Sequence, residues 1–110
     1  MTTSDTNSVT ETERATLEEL EESPRVRVFD GEPRTVKLAL DAGDRIPPHR
    51  HPGRQIVLHL LEGRLSLALG EDDRELEAGE LVRFDGTQEI SPKALEESTA
   101  VLVLAQRTGE

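Results

Sequence analysis

The chain has 110 residues, enough for one domain of ordinary size and no more. It carries 23 Asp and Glu against 13 Lys and Arg, a formal net charge of −10, which argues against a nucleic-acid partner because phosphates need a basic face. With no cysteine, Trp or Tyr, and only Phe29 and Phe84, the composition excludes disulfides, thiol nucleophiles and most base-stacking platforms.

Residues 1–23 hold seven acids and one base, Arg14, so they carry −6 of the net charge. They are expected to form an acidic tail, disordered or with one short helix. Thr10 and Glu13 have capping-box spacing, and Leu17 and Leu20 share a face, but two leucines bury little. The start of the chain shows no basic and then apolar pattern of a secretory signal. The longest apolar run, Ala100 to Ala105, is far short of the roughly 18 residues of a membrane span. A cytoplasmic protein with no membrane partner is expected. Eleven of the 13 bases are Arg, and this skew with the acidity resembles proteins adapted to high salt.

From Pro24 onward short alternating segments are split by Gly, Pro and Asp. They predict strands at 25–30, 35–41, 55–62, 64–69, 74–77, 80–84 and 99–106. "RLSLAL" puts Leu65, Leu67 and Leu69 on one face, the alternation of a half-buried strand. "EGR" at 62–64 and "GEDD" at 70–73 predict consecutive hairpins. "ISPKALEES" at 90–98 reads as a loop. With no helical period after residue 23, the prediction is an all-β antiparallel sandwich or barrel spanning 24–110.

The chemistry concentrates in "GDRIPPHRHPGRQ", Gly43 to Gln55. Pro47, Pro48 and Pro52 keep this stretch out of helix interiors and central strands, and push His51 towards extended geometry. In an extended chain His49 and His51 point the same way, about 6–7 Å apart. Two imidazoles at that spacing can approach one divalent ion, which needs at least one further ligand. With the two histidines, Arg45, Arg50 and Arg54 make five of the ten residues from 45 to 54 basic, in an otherwise negative chain. A guanidinium about 6 Å from a dication costs about 6 kcal/mol at an effective dielectric of about 20. Such arginines suit an organic anion better than a bare metal, unless they simply pair with surface acids. On the strand at 55–62, Ile56, Leu58 and Leu60 share one face. His59 falls on the other with Gln55 and Val57, which suggests a sheet-packing or dimer contact. Ser66 and Ser91 have no histidine at a spacing that would make a nucleophile.

The order of Gly43, His49-x-His51 and Gly63, then "LLEGRLSL" and "LEAGELVRFD", resembles the two motifs of the cupin superfamily over roughly residues 24–107. The resemblance implies a cupin-type antiparallel β-barrel, the double-stranded β-helix or jelly roll. It also implies a metal held by the two histidines, a Glu, and a further histidine in the second motif. Here the Glu position falls on Gln55 or Ile56 and the last ligand on Ile90, with Glu89 beside it, so the site is degenerate. Metal ligands are therefore expected to be His49 and His51, incomplete, with Gln55 a weak candidate and a divalent ion weakly bound. Arg54 and Gln55 are the expected contacts to a small-molecule ligand, anionic in character. The expected function is small-molecule binding or weak metal binding without catalysis. The competing function is a metal-dependent enzyme of dioxygenase or isomerase type, and the family pattern implies a homodimer.

Overall fold

The computed structural model describes residues 11–21 and 23–107. Eight strands follow one 3-10 turn at Leu17–Glu19. They are β1 (Arg25–Arg27), β2 (Arg34–Leu40), β3 (Arg54–Glu62), β4 (Arg64–Leu69), β5 (Asp72–Glu77), β6 (Leu81–Asp85), β7 (Ile90–Ala94) and β8 (Ser98–Gln106). A five-stranded sheet in the order β1-β2-β8-β3-β6 faces a three-stranded sheet, β5-β4-β7, and every pairing is antiparallel. The two sheets have the jelly-roll arrangement of a cupin.

Alternation builds the core. Along β3 Ile56, Leu58 and Leu60 are buried, and along β4 so are Leu65, Leu67 and Leu69. Leu38, Phe84, Ala100 and Leu104 join them from the large sheet, and Leu76, Ile90 and Ala94 from the small one. At about 25 cal/mol per Å² removed from water, burial of these aliphatic faces is the main force holding the sheets together. His59 lies half-buried on the outer face, opposite Leu81 on β6 and Val101 on β8, as the strand period requires.

Two expectations are corrected. Residues 90–94 form strand β7 rather than loop, despite Pro92. Beyond its pairing with β4, β7 is hydrogen-bonded, among the described residues, to the irregular chain at 43–49, with bridges at Arg45–Lys93 and His49–Ile90. On that side Pro92 is needed only as an acceptor, from the Ile46 N–H at 3.0 Å, so its missing donor leaves no gap. The second correction concerns "EGR". Strands β3 and β4 lie in different sheets, so Gly63 marks a crossing between layers, not a hairpin. Its φ of +89° turns the chain sharply against Ser98, whose Oγ accepts from the Arg64 N–H at 3.1 Å. The other expected hairpin, β4–β5, forms as read.

Within the acidic segment Leu17 belongs to the short 3-10 turn, and its carbonyl accepts from Lys37 Nζ at 2.8 Å. Thr10, half of the expected capping box, lies outside the described residues.

Candidate functional site

Local chemistry places the two histidines. Residues 51–54 make a type II turn: the Arg54 N–H donates to the His51 carbonyl at 3.2 Å, Pro52 takes the second position, and Gly53 the third with φ +78°. The second-motif loop then clamps this turn. The His51 N–H donates to the Gly86 carbonyl at 2.7 Å, and the Gly86 N–H donates to the Arg54 carbonyl at 2.8 Å. Gly86 is buried, and a Cβ there would sit 2.6 Å from the His51 carbonyl oxygen. Only glycine lets the two loops approach this closely.

The rings of His49 and His51 meet edge to face, with centroids 4.8 Å apart and planes at 86°. Nδ1 of His49 lies 2.9 Å from the Pro47 carbonyl, which can only accept. Nδ1 is therefore the donor in this contact. Burial lowers the pKa of His51, with smaller contributions from His49, Arg34, Arg25 and Arg54.

Both rings line a cavity of about 370 Å³ between the sheets. Its other polar groups are the guanidinium-bearing side chains of Arg25, Arg27 and Arg34. Leu38, Leu58, Leu67, Ile90 and Leu102 form the principal apolar wall. None of the lining residues is Asp or Glu. Sequence reasoning missed the three arginines. They lie far from the histidine motif in the chain, and only strand register turns them inward.

The expected site residues are thus divided. His49 and His51 come together. Arg54 is not in the cavity wall: it makes a bidentate pair with Glu32, at 2.7 and 3.0 Å, and also donates to the Leu104 carbonyl at 2.8 Å. That pairing lowers the Glu32 pKa and raises that of Arg54. Gln55 is exposed, opposite Asp85 and Ala105, on the face of β3 away from the core. Arg45 and Arg50 are also exposed, and Arg50 lies 3.8 Å from Glu89. Of the two residues expected at the Glu position, Ile56 faces the core and Gln55 faces solvent, and Ile90, expected at the last histidine position, lines the cavity.

Would these residues hold a divalent ion tightly? Two imidazoles are available, and the buried neighbours Ile56 and Ile90 are aliphatic and cannot ligate. Among the described residues no group of three or more His, Cys, Asp and Glu side chains is placed to share an ion. Three guanidinium groups line the same cavity and oppose a dication. The donor set does not fit a complete metal centre. Nor is Ser91 free for chemistry, since its Oγ donates to the Ile46 carbonyl at 2.7 Å. No helix among the described residues is long and apolar enough to cross a membrane.

Comparisons agree with this fold. No curated protein matches the sequence significantly. Among solved structures, KdgF from a Halomonas species is similar at 20% identity and a TM-score of 0.68, covering 81% of this chain and 87% of that one. A Thermus thermophilus protein is similar at 24% identity and a TM-score of 0.72, covering 88% of this chain and 100% of that one. A predicted oxalate decarboxylase from Thermotoga maritima is similar at 15% identity and a TM-score of 0.67, covering 76% and 79%. At these identities the likeness is one of fold. A family model for the cupin domain matches residues 36–105, well over half of the sequence, and the chain belongs to that family.

Proposed function

We propose that the protein is a small-molecule-binding cupin whose site is the cavity between its sheets. The observation that carries this reading is the cavity itself, about 370 Å³ with a mostly apolar lining and a few convergent polar groups. Ligand sites have this size and character. The aliphatic side chains at positions 56 and 90 support binding over metal-dependent oxygenase or isomerase chemistry, because they remove two of the four groups such chemistry uses.

The test is a ligand screen on the full chain, made without a His tag, over anionic, neutral and cationic compounds. Binding is read by the ring signals of His49 and His51. Binders should shift both rings, and Leu102→Trp, which fills the cavity, should abolish the effect. If no compound moves either ring, or if added iron or manganese gives stoichiometric binding and turnover, the reading fails.

A further inference from the structure

The register of the five-stranded sheet arranges the cavity wall in rows. Directly opposed residues share a face, and the rows lie about one strand spacing, 4.8 Å, per step across the sheet. One row runs Arg27, Val36, Leu102, Leu58. Beside it runs Arg25, Leu38, Ala100, Leu60, and on its other side Arg34, Leu104, Ile56. Each row starts with an arginine on the β1–β2 side and turns apolar towards β3. The cavity is therefore polarised, cationic at one wall and hydrocarbon across the rest.

Inward-facing charges on an edge strand can serve simply to block sheet-to-sheet pairing, and β1 is an edge strand. That device explains Arg25 and Arg27. Arg34 is placed differently: it opens β2 opposite Leu104 of β8, beyond the residues Val36 to Leu38 that pair with β1, and what sets it apart is its guanidinium. The Nε of Arg34 is buried with no hydrogen-bond partner among the described residues. A buried donor left unpaired is costly, and an acceptor brought by a ligand removes that cost. Among the described residues none of these three arginines has a carboxylate within 4.0 Å, although Arg34 is near enough to Glu32 to help lower its pKa. Arg54, with its bidentate Glu32, shows how this protein neutralises a guanidinium when the partner is its own.

We propose that the cavity takes an amphipathic organic carboxylate, its head group among Arg25, Arg27 and Arg34 and its hydrocarbon body against Leu38, Leu58, Leu67 and Leu102. Planar guanidinium groups match a carboxylate geometrically, and an anion relieves their mutual repulsion. The volume, about 370 Å³, equals the liquid share of about a dozen waters, so a ligand of about ten non-hydrogen atoms fits. This assignment rests on the cavity being a small-molecule site, and it specifies the ligand.

Four probes test it by calorimetric titration of the full chain: octanoate, 1-octanol, octylammonium and acetate. Octanoate should bind tightest, about tenfold or more above octanol, since a charge-assisted hydrogen bond separates them. Arg34→Ala should remove most of that difference and leave octanol within about threefold of its value. Arg27→Ala, at the exposed edge, should act the same way if Arg34→Ala does not fold. Raising KCl from 0.1 to 1 M should weaken octanoate and not octanol. Octanol or octylammonium binding as tightly as octanoate overturns the carboxylate assignment, while the cavity remains a small-molecule site. Acetate binding as tightly as octanoate overturns the hydrocarbon half. If none of the four binds, this proposal falls, and the broader screen above decides whether the cavity reading falls with it.

Discussion

His49 and Ile90 exchange both of their backbone hydrogen bonds, His49 N–H to the Ile90 carbonyl at 3.1 Å and Ile90 N–H to the His49 carbonyl at 2.8 Å. The position that the cupin pattern gives to its last ligand is thus kept in place by the backbone, directly beside the first histidine. Its side chain is aliphatic, 2% exposed and part of the cavity wall.

Metal should therefore be bound weakly. Elemental analysis of tag-free protein is expected to find well under one ion per chain, and dialysis against a chelator should leave the unfolding midpoint unchanged. Replacing His49 and His51 together by Ala should also cost little in metal-free buffer, under about 1 kcal/mol, because no tight ion is linked to folding. Ile90→His should raise zinc affinity by supplying a third nitrogen at a prepared place. A drop of several degrees on chelation would contradict this account.

The strands were legible wherever a single face alternates, as in β3 and β4, because burial follows a two-residue period. The histidine pair was legible because spacing and prolines are local. What escaped was non-local. Pro92 argues against a strand unless one knows that β7 pairs on one side with regular sheet and on the other with irregular chain. The turn at Gly63 reads as a hairpin unless one knows that Ser98 packs against it. Arg25, Arg27 and Arg34 carry no motif, and only their pairing with Leu38, Val36 and Leu104 shows which way they face. Arg54 stands near His51 in sequence, but Glu32, 22 residues away, takes its guanidinium.

Gly86→Ala should disturb the site more than the fold. Its new methyl would press on the His51 and Arg54 carbonyls, at 2.6 and 3.0 Å, and force the clamp between the two loops to open. Overpacking of this kind costs about 1–3 kcal/mol. Changed His51 ring signals should accompany the lower midpoint. Gly63→Ala makes the contrast: its Cβ would overlap the Glu97 carbonyl and Ser98 Oγ at positive φ, and would meet neither His49 nor His51. That variant should lose more stability yet, if it folds, keep the His51 signals.

Acid should destabilise the protein in two stages. The folded pKa of His51 lies below its ordinary value of 6.5, chiefly through burial and then through His49, Arg34, Arg25 and Arg54. As pH falls below 6.5 the unfolded chain takes up this proton more readily than the folded one, so stability falls. Glu32 and Asp85 are lowered too, by Arg54 in the first case and by Thr87 in the second, from ordinary values of 4.5 and 3.8. Their contribution is present above those values and is lost as pH falls through the lower, folded ones. Denaturation midpoints between pH 7.5 and 3 should show both stages, and His51→Gln should erase only the upper one. An unchanged upper stage in that variant would exclude His51 as its cause.

Salt should raise stability. A net charge of −10 on 110 residues repels itself, and the screening length shrinks from about 10 Å at 0.1 M to about 3 Å at 1 M. KCl is the suitable salt, since sulfate also strengthens apolar burial. A flat or falling midpoint between those concentrations would argue against an acidic surface adapted to salt.

The outer face of the large sheet should mediate self-association. His59 sits opposite Leu81 and Val101, and Val57 opposite Val103 and Arg83, so these side chains share the face away from the core. Leu81 is 63% exposed. Lys37 on β2 is opposed to Val101, so a charge, there bonded to the Leu17 carbonyl of the 3-10 turn, borders the patch on the β2 side as Arg83 does on the β6 side. An apolar centre with charged flanks is the pattern of an interface, and two copies meeting through a twofold axis would bury about 800 Å² each at ordinary size. Light scattering at high micromolar concentration should therefore give about twice the 12.2 kDa chain mass. Val101→Asp should place an unpaired charge at the patch centre and shift the mass to that of one chain, with the cavity probes still binding. A single-chain mass for the unaltered protein, or a dimer that Val101→Asp leaves intact, would assign this face no role in assembly.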